Sequence, residues 1–336
     1  MLDVLSLLAL AAVATAVVWK GSTWLETSAD RIAVGYGVPA VVQGAIIAAA
    51  GSSMPELVSV LLSTLLHEEF EIGVGAIVGS AVFNLLVVPA AAVLAGDGEM
   101  STGRDLVYKE ALFYMLSVAA LLLTFSLAVI YNPQAGTGIQ GTVTRPLALF
   151  PLVLYGLYVF TQYLDTAEHD GETDGSVDLP RAWLWFLLGL VLIIVGVEGL
   201  VRAAIGLGEA FGTPAFLWGM TVVAAGSSIP DAFVSVAAAR SGRPSVSLAN
   251  VLGSNIFDLL VAVPVGVLVA GTLAITFAHI VPMMGFLILA TIVFFTIVRT
   301  DMLLTEREGW MLLVLYGFFA AWLVLESVGA TDVVPT

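Results

Sequence analysis

Two twenty-residue stretches of this chain repeat one another. Residues 37–56 read GVPAVVQGAIIAAAGSSMPE, and residues 212–231 read GTPAFLWGMTVVAAGSSIPD. Each lies in an otherwise apolar run and ends in a proline followed by a carboxylate, Pro55–Glu56 and Pro230–Asp231. An acid at membrane depth is costly, and a proline in a helix interior removes a backbone donor. Finding both together twice points to an ion site shared between two related halves.

The surroundings of these stretches fix the fold class. Of the 336 residues, 60% are hydrophobic and 11% charged, and the mean hydropathy is +1.04. Soluble domains lie nearer half apolar and a quarter charged. The chain therefore reads as an all-α polytopic membrane protein with room for about ten spanning helices of ~20 residues. The first apolar run lacks a basic leader and a cleavage pattern, so it is expected to be a retained helix. There is no cysteine, hence no disulfide or thiolate metal site, and the three histidines are scattered. A net charge of −15 argues against nucleic acid as a partner. Only two lysines, Lys20 and Lys109, stand against nine arginines, an acid-rich composition that suggests a salt-loving source.

Hydrophobic runs place ten segments at about 2–35, 39–66, 72–95, 105–131, 147–164, 182–210, 214–239, 246–271, 273–298 and 308–327. Between the fifth and sixth lies AEHDGETDGSVDLP, the most polar stretch, read as a linker. The halves are then 1–164 and 182–336, joined by an acidic linker at 165–181. A second repeated block, GAIVGSAVFNLLV (75–87) and NVLGSNIFDLLV (250–261), matches Gly79, Ser80, Phe83 and Asn84 with Gly253, Ser254, Phe257 and Asp258. Matching segments are five apart. Because five is odd, the copies enter the membrane from opposite sides, which makes two inverted-topology five-helix repeats.

Basic residues gather in the loops after segments 3, 5, 7 and 9: Arg104, Lys109, Arg181, Arg240, Arg243, Arg299 and Arg307. By the positive-inside rule those loops face the cytoplasm and both termini face outward. The HEEFE turn (67–71) then lies outside, either attracting cations or simply solvated.

The repeated motifs carry hard-oxygen chemistry. Pro55 cannot donate to the Gly51 carbonyl, and its ring pushes against it. The break should free carbonyls around Ala49 to Gly51, within a turn of Ser52, Ser53 and Glu56. Ala224, Ser227, Ser228 and Asp231 repeat the set. Ser80 and Asn84 share a helix face, as do Ser254 and Asp258. Carbonyl, hydroxyl and carboxylate oxygens suit Na⁺ and Ca²⁺ rather than soft metals. Facing carboxylates in a dry site repel unless a cation or proton lies between them. Glu198 and Arg202, at i and i+4, are expected to neutralise each other. Glu26 and Arg31 read as structural.

These motifs resemble those of the cation/calcium exchanger superfamily, whose two α-repeats carry G-[ST]-S-x-P-[ED] and G-S-x-x-x-[ND]. GSSMPEL, GSSIPD and GSNIFDLLV look most like the potassium-dependent sodium/calcium branch. The resemblance implies Glu56 and Asp231 as central calcium ligands and Ser52 and Ser227 as hydroxyls shared by calcium and sodium. It implies the carbonyls of Ala49 and Ala224, with Ser80 and Ser254, at outlying sodium sites, and Asn84 and Asp258 as a supporting pair. Ser53 and Ser228 complete the expected oxygen set. The resemblance also implies long first and sixth helices sliding over a core of helices 2, 3, 7 and 8, with Gly21, Gly196, Gly199 and Gly206 at the contact.

The expected activity is a secondary antiport of sodium against calcium by alternating access, with no cofactor. The transported ions are Ca²⁺ and Na⁺, with K⁺ or H⁺ as further candidates, and the lipid bilayer is the only other partner. A proton-coupled calcium or divalent exchanger, or a potassium-dependent sodium/calcium exchanger, is the alternative. A monomer is expected, because the pseudo-symmetry is completed within one chain. No nucleophile–base pair marks an enzyme.

Overall fold

The computed structural model describes residues 3–38, 47, 49–96, 98–103, 106–134, 139–164, 177–242, 244–327 and 330–331. Most of the first half of segment 2, most of the linker, Arg104 and Arg243 lie outside the described residues.

Two helices far exceed the bilayer core. Helix α1 runs Val4–Gly35 and is capped by Asp3, whose carboxylate accepts the Ser6 N–H at 2.7 Å. At 32 residues it is about 48 Å long, against an apolar thickness of about 30 Å, so it must tilt or extend beyond the core. Its mate across the repeat, Leu179–Phe211, is capped by Asp178. Matched glycines end both helices in the left-handed region, Gly37 at φ +65° and Gly212 at φ +66°. Only glycine takes that conformation without cost, and the sequence places a proline two residues later in each copy.

The other helices are shorter. Helix α2 is Ala49–Ser52, α3 is Met54–Leu65 and α4 is Phe70–Ala95. A π-helical turn at Leu106–Glu110 leads into α5, Ala111–Tyr131, and α6 is Arg145–Leu164. Leu179–Phe211 is α7. In the second half α8 (Ala215–Trp218) passes through a π-turn at Gly219–Val223 into α9 (Ala224–Arg240). Helix α10 (Pro244–Phe257) passes through another at Asp258–Ala262 into α11 (Val263–Ala270). Helices α12 (Phe277–Arg299) and α13 (Glu306–Ser327) close the chain. Among the described residues, nine helical stretches are long and apolar enough to span a membrane, and α3 is a shorter apolar helix. With segment 2 this is the ten-helix inverted repeat.

Helices α1 and α7 cross antiparallel through small residues. A Cβ on Gly21 would fall 2.9 Å from the Gly189 carbonyl, and one on Gly196 would fall 2.9 Å from the Val18 nitrogen. Gly206 meets Leu7 in the same way. Close backbone approach of this kind is how helices gain packing in lipid, where burial of apolar surface gives no net drive. Helix α4 is the centre of the core and is buried along nearly all its length, from Phe70 to Val93.

Four short strands tie the halves together: β1 (Glu99–Ser101), β2 (Gln140–Thr144), β3 (Thr272–Thr276) and β4 (Leu303–Thr305). β1 pairs antiparallel with β4 and β2 with β3, the latter in register Gln140↔Thr276 to Thr144↔Thr272. β1 and β4 belong to loops after odd-numbered segments, β2 and β3 to loops after even-numbered ones. Each ribbon therefore closes one face of the molecule. Pairing the connection after the third helix of one half with that after the fourth of the other is what an inverted repeat produces.

The structure departs from the sequence expectation in several places. Residues 273–276, expected at the start of segment 9, are strand. The HEEFE turn is not merely solvated: Glu71 accepts the Thr276 N–H and meets His279 Nδ1 at 2.9 Å, tying the turn to β3 and α12. Glu198 pairs with Arg202 at 2.6 Å as expected, and also with His67 at 3.0 Å.

Candidate cation-binding site

The two Pro–acid motifs fold differently. In the first half the helix interrupts at Ser53, between α2 and α3, and Glu56 sits in the first turn of α3. In the second, α9 continues through Pro230, and the irregularity is moved ahead of it into the π-turn at Gly219–Val223. Proline cannot donate to the carbonyl four residues earlier, so Gly51 and Gly226 lose that partner in both copies. The Ala49 carbonyl is not free: it accepts the Ser53 N–H and the Ser52 hydroxyl, both at 3.1 Å. Ala224 likewise accepts the Ser227 hydroxyl at 3.2 Å. Each first serine thus stands beside the carbonyl three residues back, one hydroxyl–carbonyl pair per half.

All the expected side chains converge at mid-depth and are buried: Ser52, Ser53, Glu56, Ser80, Asn84, Ser227, Ser228, Asp231, Ser254 and Asp258, with Ala49 and Ala224 beside them. Ser52 Oγ lies 2.8 Å from Ser254 Oγ, and Ser53 Oγ donates to the Ser254 carbonyl at 3.3 Å. Across the pseudo-two-fold, Ser228 Oγ lies 2.7 Å from Ser80 Oγ, and both hydroxyls stand 3.4 Å from Glu56 Oε1. At that distance the hydroxyls face the carboxylate without forming tight hydrogen bonds.

The acids are treated unequally. Asn84 Nδ2 donates to Asp231 Oδ2 at 3.2 Å. Its matched residue, Asp258, has no donor to offer Glu56, so two carboxylates face each other. Glu56 Oε2 and both Asp258 oxygens are buried without a hydrogen-bond partner at ordinary geometry. Buried charge left this way costs several kcal/mol per ion, on the order of that for any uncompensated ionic group. No basic side chain pairs with Glu56, Asp231 or Asp258 among the described residues. Nor, among the described residues, do three acids or histidines gather tightly enough to chelate one ion unaided. Carboxylates are instead interleaved with hydroxyls around an elongated site.

Sequence reasoning missed Asn255. Its amide oxygen accepts from Asn84 at 3.1 Å, and its Nδ2 donates to the Ala81 carbonyl at 3.2 Å. Ala81 is the residue that matches Asn255 in the other repeat, so this contact sits near the pseudo-two-fold. A second asparagine, directly beside Ser254 in an apolar helix, was the available signal.

Among the described residues, one cavity reaches the site. A cavity of about 450 Å³ runs from Asp30, Ala237 and Ser241 at the rim down to Ser52. It enters from the face carrying the ends of α1 and α9. Matched contacts show the same asymmetry. A Cβ on Gly79 would fall 2.8 Å from Ala224 Cβ, whereas one on Gly253 would lie 3.6 Å from Ala49 Cβ. Gly226 meets Leu200 at 2.7 Å, while Gly51 meets Leu25 at 3.7 Å. On the opposite face a cleft of about 350 Å³ lies between Leu7, His67, Arg202 and Glu209 and touches no site residue.

Comparison with known proteins identifies the family and the fold. The family model described as sodium/calcium exchanger protein matches residues 6–164 and 181–325. The inner membrane protein YrbG of Escherichia coli is 28% identical over 260 residues, covering 74% of this chain and 77% of that protein. The sodium-calcium exchanger NCX_Mj, soaked with sodium and strontium, superposes with a TM-score of 0.63 at 22% identity, covering 95% and 99% of the two chains. An H⁺/Ca²⁺ exchanger, CAX, gives 0.67 at 14% identity, covering 95% and 86%. At these identities the solved structures speak to fold, whereas the family match spans nearly the whole sequence. The chain belongs to the sodium/calcium exchanger family, within the cation/calcium exchanger superfamily, and is a multi-span membrane antiporter of cations.

Proposed function

We propose that this protein exchanges Na⁺ for Ca²⁺ across the cell membrane, with Glu56, Asp231 and Asp258 as its anionic ligands. The observation that carries the reading is the uncharged oxygen set beside the acids. Ser52 with the Ala49 carbonyl, and Ser227 with the Ala224 carbonyl, flank the carboxylates in both halves. A coupling proton needs only a titrating carboxylate, so in a proton-coupled exchanger neutral oxygens would serve the calcium alone. Paired neutral oxygens are of use to a partly dehydrated cation, for which each serine would turn its hydroxyl off the carbonyl.

Charge count fits the same reading. Three sodium ions neutralise the three buried acids, whereas one calcium neutralises two of them and leaves one to be met by a monovalent ion or a proton. Glu56 and Asp231, the acids that follow the two prolines, are the calcium ligands in this reading. Ser53, Ser80, Ser228 and Ser254 supply further hydroxyls, and Asn84 holds Asp231 in place. The outward termini and cytoplasmic basic loops follow from charge.

The test is calcium uptake by sodium-loaded proteoliposomes diluted into sodium-free medium, with and without external potassium. Uptake should follow the sodium gradient and vanish in Glu56→Gln and in Asp231→Asn. Uptake that ignores sodium and follows an imposed pH gradient overturns the reading in favour of proton coupling.

A further inference from the structure

Glu26 has no role in the site described above, and its surroundings are not those of a structural ion pair. It lies on α1, and its Cγ would be 3.7 Å from a Cβ on Gly51, so its carboxylate stands across from the interrupted helix, next to Ser52. It is near enough to interact electrostatically with Glu56, Asp231 and Asp30. Arg31, expected as its partner, makes no ion pair with it among the described residues. Glu26 instead lines the cavity that leads to the site, together with Asp30, Ser52, Ser235, Ser247 and Asn250.

Four polar atoms in that lining are buried without a partner: Glu26 Oε1, Ser235 Oγ, Ser247 Oγ and Asn250 Nδ2. Ser235 is 0% exposed and Ser247 1%. Buried hydroxyls left unpaired cost stability unless something occupies them. Rotating the Asn250 amide would present its oxygen to the same space. The wall then offers carboxylate, hydroxyl and amide oxygens, with room for retained water, which is the donor set of a hard cation.

We infer that the cavity holds a second cation site, distinct from the central one, in which Glu26 with Ser235, Ser247 and Asn250 binds a partly hydrated Ca²⁺ before it passes Ser52 to Glu56. Asp30, one turn on along the same face of α1, adds charge at the mouth. Two carboxylates hold a divalent ion more strongly than Na⁺. The residue matching Glu26 in the second repeat is Val201, so the site exists on one face only. It makes the two faces of the antiporter unequal in calcium affinity. The transport role rests on the exchange reading, whereas binding does not.

Two measurements separate the two. In purified protein carrying Glu56→Gln and Asp231→Asn, calorimetric titration with Ca²⁺ alone should still detect one weak site. Adding Glu26→Gln should weaken it about tenfold, as loss of a charged group in a metal's immediate surroundings does. Absence of residual binding, or residual binding indifferent to Glu26→Gln, overturns the inference whatever ion drives exchange. In oriented vesicles, Glu26→Gln alone should raise the apparent KM for Ca²⁺ about tenfold on the face of the α1 C-terminus. The KM on the other face should stay unchanged, and kcat should fall less than KM rises. An equal change on both faces, or a loss of kcat with KM unchanged, makes Glu26 part of the central site or the scaffold and overturns the staging role. Ser247→Ala, a smaller change, should raise KM on the same face only.

Discussion

Asp258 and Asn84 occupy matched positions, yet only the asparagine can donate a hydrogen bond to the acid opposite it. This single difference denies Glu56 Oε2 the donor that Asp231 has from Asn84, while both Asp258 oxygens, like Asn84 Oδ1, are buried without a hydrogen-bond partner. Asp258→Asn should let the new amide reach Glu56 as Asn84 reaches Asp231, making the halves alike and leaving two acids. One calcium neutralises two acids, so calcium–calcium exchange should persist within about threefold. Sodium-driven uptake should fall at least about tenfold, the equivalent of roughly 1.5–3 kcal/mol for one lost charged ligand. Tracer exchange in the two modes measures both, and an equal fall in both would assign Asp258 to calcium itself. The variant should also melt at higher temperature in cation-free detergent, since an uncompensated buried acid is gone. At this scale much was legible beforehand. Every ligand proposed for the central site came from the duplicated motifs, because an acid after proline in an apolar run is too costly to keep twice unless a cation or proton compensates it. Asn255 and Glu26 were not legible, because neither is duplicated and each acquires meaning only from what the fold sets against it.

Helix contacts that match across the repeat are unequal, and the inequality predicts which substitutions trap the molecule. Gly79 already lies against the Met220 carbonyl, where a Cβ would fall at 2.3 Å, so Gly79→Ala should destabilise by about 1–3 kcal/mol through overpacking. Gly253 has room for a methyl at 3.6 Å from Ala49 Cβ. In the oppositely facing arrangement, pseudo-symmetry exchanges the two environments. Gly253→Ala should therefore fold normally but favour the arrangement described here by about 1–3 kcal/mol, roughly 5- to 150-fold in population. Its transport should be slow, with normal melting and the vestibule permanently reactive to aqueous probes. Fast turnover in Gly253→Ala would mean that the core does not tighten on that face. The element order was readable from hydrophobic runs and repeats, but the strands and π-turns were not. TLAIT is apolar enough to read as helix. It is strand because QGTVT, from the other half, pairs with it, and no local pattern reports a partner more than 120 residues away.

For the whole molecule, the two ribbons mark opposite faces, and the charges predict which is which. The β1–β4 face carries Lys109, Arg181, Arg240, Arg299 and Arg307 among the described residues, whereas the other carries Arg145, its guanidinium bonded to the Leu268 carbonyl, and Arg202, paired with Glu198. Basic residues in short loops are held back on the cytoplasmic side. The vestibule containing Glu26 should then open inward. The natural chain has no cysteine, so single substitutions report without background. Glu209→Cys, exposed near the closed cleft, should react with an impermeant maleimide on intact cells. Ser241→Cys, exposed at the rim of the cavity, should react only after the membrane is opened. The sharper case is Ser247→Cys. It lies among buried residues, yet lines the same cavity, so it should react in inside-out vesicles and not in intact cells. External sodium, by drawing the exchanger toward the outward-facing arrangement, should slow that reaction. Labelling of Ser247→Cys from outside, with Ser241→Cys labelled there too, would invert the orientation. Ser247→Cys failing to react from either side would mean that the cavity does not admit water to its floor.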